Sequence, residues 1–82
     1  KKHMVDLRKV LTDMAAAIVD HPEQVSVTET EENGEVLLQL TVAPEDMGKV
    51  IGKHGKIAKA LRTVMKAAAT SVDRRVVVKI TE

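Results

Sequence analysis

The sequence contains no cysteine and no aromatic residue, and each absence excludes a class of structure or function. Without cysteine the chain can form no disulfide, no zinc–thiolate site and no cysteine nucleophile, which suits a reducing compartment. Without Phe, Tyr or Trp the core must be aliphatic, and surfaces that stack nucleic-acid bases on aromatic rings are excluded. An aliphatic domain without covalent cross-links is therefore predicted.

Long apolar runs are also absent. No stretch approaches the roughly 18 apolar residues that span a bilayer, and the N-terminus lacks the apolar segment of a secretory signal. We expect a cytoplasmic protein with no membrane contact. Lys1 to Met4 resemble the remainder of an expression tag, and the 82-residue length allows one core. Residues 5–82 are therefore predicted to form a single domain.

Charge is unevenly distributed, although the formal net charge is only +1. Most acidic residues lie at or before Asp46, whereas the segment from Gly48 to Val72 holds no acid. Its basic residues are Lys49, Lys53, Lys56, Lys59, Arg62 and Lys66. One part of the molecule is therefore predicted to be basic.

Apolar periodicity predicts the order helix, strand, strand, helix, helix, strand. Apolar residues recur at helical spacing from Leu7 to Ile18, and Asn33-Gly34 favours a hairpin turn between two alternating segments. A short helix begins near Pro44, with Glu45 and Asp46 facing the positive end of its dipole. We predict an α+β fold in which three helices cover one face of a three-stranded sheet.

The long helix that follows Gly55 is predicted to run to about Ser71 and to be followed by a final alternating strand. Its apolar positions are Ile57, Leu61, Val64, Met65 and Ala68. Their spacing is typical of a helix.

Gly52-Lys53-His54-Gly55 places two glycines around two basic-type residues, between two helices. Glycine permits a sharp reversal and close approach of a ligand to bare backbone, so a phosphate could meet amides at the start of the long helix. Lys53 would add a positive charge, and further lysines follow at helical spacing. The alternative is a helix C-cap and a plain turn, beside a lysine-rich surface that only keeps the protein soluble.

The segment Gly48-Lys49-Val50-Ile51-Gly52-Lys53-His54-Gly55 resembles the Ile-Gly-x-x-Gly signature of KH domains, and the element order is that of the type II arrangement. The chain resembles most closely the small single-KH bacterial proteins of the KhpA family, through 42–52, 57–60 and 66–69. This similarity covers essentially everything after Met4.

The resemblance implies binding of single-stranded RNA through a loop that clamps the backbone of about four nucleotides. By resemblance the loop 52–55 is the clamp, while residues before and after it line an aliphatic groove or flank it. The implied RNA-binding residues are Gly48, Lys49, Val50, Ile51, Gly52, Lys53, His54, Gly55, Lys56 and Lys59.

The same resemblance implies an RNA chaperone or post-transcriptional regulator with no cofactor. It also implies a homodimer or a complex with a larger KH-containing protein, and a link to cell-wall synthesis and cell length.

Other readings of the loop and the acidic residues are weaker. A nucleotide-binding P-loop needs four residues between its glycines, but Gly48 and Gly52 enclose three. No histidine has companion residues spaced for metal binding or acid–base catalysis, and the hairpin glutamates lack a calcium-loop pattern. We therefore predict neither an enzyme nor a metal site. The serious alternative is a protein-interaction adaptor whose partner makes most RNA contacts.

Overall fold

The computed structural model describes residues 5–82, and the predicted element order is confirmed. The helices are α1 (Leu7–Ile18), α2 (Met47–Ile51) and α3 (Lys56–Thr70), and the strands are β1 (Ser26–Glu32), β2 (Glu35–Thr41) and β3 (Arg75–Thr81). Short 3-10 turns cover Pro22–Gln24, Pro44–Asp46 and Lys53–Gly55. The interpretation of residues 1–4 as a tag lies outside the described residues. Among residues 5–82, no helix is long and apolar enough to cross a membrane.

The sheet has the order β1-β2-β3, with an antiparallel and a parallel pairing. Asn33 and Gly34 have φ values of 54° and 77°, which confirms the predicted hairpin turn between β1 and β2. β3 pairs with β2 in parallel, so the chain must cross over between these strands, and α2 and α3 form that crossover. The loop between α2 and α3 is thus held between packed elements.

The core lies between the helices and one face of the sheet, as predicted. Alternate residues of β2 and the residue that follows it are buried because successive side chains in a strand point to opposite faces. The largest fully buried hydrophobic side chains are Leu11, Val36, Leu38, Leu40, Val50 and Met65. The centre of the domain is therefore closed by aliphatic packing alone.

The apolar positions that marked α3 in the sequence are not all buried. Leu61 and Met65 are buried, but Ile57 and Val64 remain 37% and 45% exposed. Alanines at 58 and 69 complete the buried face, because their small side chains let the helix lie close to its neighbours. An apolar flank of α3 is thus left on the surface.

Candidate functional site

The loop between α2 and α3 requires glycine at position 52. Gly52 has φ 77° and ψ 172°, a region that is essentially restricted to glycine. A Cβ there would overlap the side chain of Ile57 and lie 2.9 Å from the Ile57 backbone nitrogen. Gly52 therefore brings the end of α2 against the first turn of α3. Gly55 also has a positive φ, 73°, but it differs from Gly52 in having space for a side chain, because a Cβ there would meet no atom within 4 Å.

Two backbone amides of the loop are already used within it. The Gly55 amide donates to the Gly52 carbonyl at 3.1 Å, and the Lys56 amide donates to the Lys53 carbonyl. These bonds tighten the turn into one 3-10 turn, with His54 in the left-handed region at φ 58°. The expectation that a phosphate would meet unpaired amides is therefore wrong for these two groups. Lys53 and His54 are exposed at the outer edge of the turn.

A row of cations leaves the loop along the flank of α3 that faces β3. An open groove of about 510 Å³ is lined by His54, Gly55, Lys59, Arg62, Thr63 and Lys66. The cations among these residues are Lys59, Arg62 and Lys66. Within residues 5–82, no acidic side chain lies within 4.0 Å of their charged nitrogens, and the same holds for Lys53 and Lys56 beside the groove. The groove therefore offers positive charge that the folded chain does not neutralise.

A second groove continues the first toward the sheet edge. It measures about 270 Å³ and is lined by Arg62, Lys66 and the aliphatic residues 76–78 of β3. The Nε of Arg62 donates to the Val78 carbonyl at 3.3 Å, which fixes this cation between the helix and the strand. The two grooves together place charge beside an aliphatic surface, an arrangement that suits a phosphate backbone with its bases alongside.

The remaining predicted site residues, 48–51, differ in whether they are exposed to a ligand. Val50 is fully buried in the core, so its side chain cannot line a base groove in this conformation. Ile51 is half-buried and Gly48 is exposed, so both can contribute to a surface beside the loop. Lys49 is exposed, but its Nζ lies 3.6 Å from an oxygen of Asp20, which offsets its charge.

Asp46 has a positioning role that the sequence did not indicate. Its carboxylate is 1% exposed and accepts hydrogen bonds from the amides of Asp20 at 3.2 Å and His21 at 3.0 Å. It makes no side-chain hydrogen bond to the start of α2, contrary to a helix-capping role. Because Asp46 directly precedes α2, these bonds fix the start of that helix to the segment that follows α1. No local pattern could have revealed partners 26 and 25 residues away.

Metal binding finds no support in the arrangement of the acidic and histidine side chains. Across residues 5–82, no group of three or more histidine, aspartate or glutamate side chains is placed to hold a metal ion. His21 instead lies between Glu23 and Glu45, with nitrogen–oxygen distances of 3.6 Å and 3.5 Å.

Solved structures support the fold. Two structures of Era, one of the Aquifex aeolicus protein bound to GDP·AlF4⁻ and one in complex with MgGDPNP and a segment of 16S ribosomal RNA, match with a TM-score of 0.64. The match covers 92% of this chain at 14% identity and only 29% of the Era chain. At this low identity, the match shows that the two chains share a fold, and it does not assign Era's activity to this chain.

Sequence comparisons give a closer relationship. Curated proteins named RNA-binding protein KhpA match from Clostridium acetobutylicum (53% identity, 90% of this chain and 99% of that protein) and Treponema pallidum (47% identity, 88% and 90%). The Aquifex aeolicus protein of that name is 42% identical over 96% of this chain and all of its own length. The family model described as KhpA/KhpB, KH domain, matches residues 8–80. The chain therefore belongs to the KhpA/KhpB family of KH domains, and its type II KH fold agrees with that membership.

Proposed function

We propose that this chain binds single-stranded RNA, with the sugar–phosphate backbone on the loop 52–55 and along the basic flank of α3. The observation that carries the proposal is the open groove of about 510 Å³, whose cations have no acidic partner within residues 5–82. The names of the curated relatives support the same partner.

Affinity should be modest because the groove has no aromatic side chain on which to stack a base. The path from Lys56 to Lys66 covers about 15 Å at a rise of about 1.5 Å per residue. A KH loop clamps about four nucleotides, so roughly four phosphates are expected along this path. Log affinity should then fall against log salt with a slope of about −2.8, at about −0.7 per phosphate.

The test is binding of fluorescent single-stranded RNA oligomers across a salt series, by wild type and by Lys53→Asp/His54→Asp. Aspartate tolerates the left-handed conformation at position 54, so the double variant should keep the fold. It should lose most binding. Lys79→Asp/Gln24→Asp makes the same change in net charge at two exposed positions away from the loop, and should bind almost normally. Equal binding by the two double variants would refute the site.

By resemblance to the KhpA family, the protein acts as a cytoplasmic RNA chaperone or post-transcriptional regulator and not as an enzyme. It works with a larger KH-containing partner in cell-wall synthesis and the control of cell length. Residues 5–82 form the single KH domain that carries this activity.

Self-association is part of the same proposal, and the second copy sits on the apolar flank of α3. Ile57 and Val64 are exposed there, and the neighbouring alanines at 60 and 67 allow close approach. Pairing would raise RNA affinity through effective concentration.

The experiment for this surface is sedimentation velocity over a range of concentrations. Wild type should associate and Val64→Asp should stay monomeric, whereas Thr63→Asp on the basic side should still associate. If Val64→Asp associates like wild type, the second copy does not use this flank. If the Lys53→Asp/His54→Asp variant binds RNA as wild type does and still associates, the adaptor alternative replaces RNA binding at the loop.

A further inference from the structure

The two ends of α3 differ in the charge that surrounds them. The helix begins at the basic loop, but it ends near the hairpin that joins β1 and β2, because β3 starts beside the start of β2. The acidic residues at this second end include Glu31, Glu32, Glu35 and Asp73. A phosphate chain that follows α3 from the loop therefore moves from a purely basic region toward acids.

Basic and acidic residues meet in one cavity at the end of the basic flank. This cavity of about 350 Å³ is lined by Glu35, Lys66, Thr70, Arg74, Arg75 and Val76. It shares Lys66 with both grooves described above, so the three cavities form one path. Beyond Lys66 the path still holds two arginines, Arg74 and Arg75. If only the positions of lysines and arginines mattered, the phosphate-binding path would continue into this cavity.

A glutamate stands beside each of these arginines, and one of the two pairs is close enough to be an ion pair. An Nη of Arg74 lies 3.1 Å from a carboxylate oxygen of Glu31, and the Arg74 side chain is only 34% exposed. Glu35 stands opposite Arg75 in the register of β2 and β3 and lines the cavity beside it. A phosphate that entered this cavity would gain little from Arg74, which is already paired, and beside Arg75 it would be repelled by the Glu35 carboxylate.

Resting on the RNA binding proposed above, we infer that Glu31 and Glu35 end the RNA path at Lys66 and thereby limit the length of RNA that one domain holds. The path open to phosphate then runs from the loop to Lys66. Removing the two carboxylates converts the third cavity into two further phosphate sites, at Arg74 and Arg75.

The test uses oligouridines that lengthen from about four nucleotides, the number that a KH loop clamps, to about three times that length. For wild type, the salt slope should stop changing once the path to Lys66 is filled. For Glu31→Gln/Glu35→Gln, the slope should steepen further on the longer oligomers, by about 0.7 for each added phosphate and so by about 1.4 for two arginines. We compare salt slopes rather than affinities, because a longer oligomer offers more positions at which the domain can bind. These extra positions raise the apparent affinity but leave the salt slope unchanged.

The control is Asp13→Asn/Glu23→Gln, which changes net charge by the same amount at residues that line none of the three cavities. A steeper slope for the hairpin variant alone, and only on long oligomers, supports the inference. An unchanged slope, an equal change in the control or a gain already on the shortest oligomer overturns it while RNA binding at the loop stands. Absence of salt-dependent binding by wild type overturns the proposed function, and the inference with it.

Discussion

Replacing Gly52 by alanine should destabilise the domain far more than the same change at Gly55. Both residues have positive φ, but only at Gly52 is there no space for a side chain, because a Cβ would meet Ile57. Backbone strain at Gly52 costs about 1–3 kcal/mol and overpacking about 1–3 kcal/mol more. At Gly55 only the left-handed conformation is penalised, by about 1–2 kcal/mol. The difference isolates the packing of the loop against α3.

A domain of this size has a total stability of about 4–12 kcal/mol, so Gly52→Ala removes a large part of it. At about 4–8 °C per kcal/mol, its Tm should fall by roughly 10 °C or more. Thermal and urea unfolding give the Tm and the free energy of unfolding, both followed by far-ultraviolet circular dichroism because the chain has no aromatic fluorophore. Gly52→Ala/Ile57→Ala should recover only part of the loss, because the Ile57 backbone nitrogen remains at 2.9 Å. If Gly52→Ala costs no more than Gly55→Ala, the packing argument is wrong.

Three further predictions concern other contacts. Asp46→Ala leaves two amides without their acceptor and should reduce the free energy of unfolding by about 2–6 kcal/mol, measured by urea denaturation. A loss under about 1 kcal/mol would show that water replaces the carboxylate. Lys49→Ala should weaken RNA binding less than Lys59→Ala in the fluorescence assay, because only Lys49 is paired with an acid; equal losses would contradict this. Hydrogen bonding to Asp13 raises the pKa of the Lys9 amine, so Asp13→Asn should lower that pKa in an NMR titration, and an unchanged value would show that the pair does not persist in solution.

Local sequence patterns predicted the element order, the hairpin at Asn33-Gly34 and the position of the loop, since each depends on residues close together in the chain. They failed where the answer depends on distant partners. Apolar spacing on α3 could not indicate that Val64 lies outside the core, because neighbouring elements decide which flank of a helix they cover. The buried state of Val50 and the hydrogen bonds of Asp46 likewise depend on α1 and the sheet. The basic groove was predicted as a charge pattern, but its shape was not.

The parallel pairing of β2 with β3 has a consequence for the newly made chain. Thr41 at the end of β2 finds its partner, Thr81, only 40 residues later. At a translation rate of about 5–20 residues per second, β2 waits roughly 2–8 s with one edge unpaired, although the local hairpin with β1 can form at once. During that interval an exposed strand edge can pair with another nascent chain. Changes that delay β3 should therefore reduce the yield of soluble protein during synthesis even where the finished fold is equally stable.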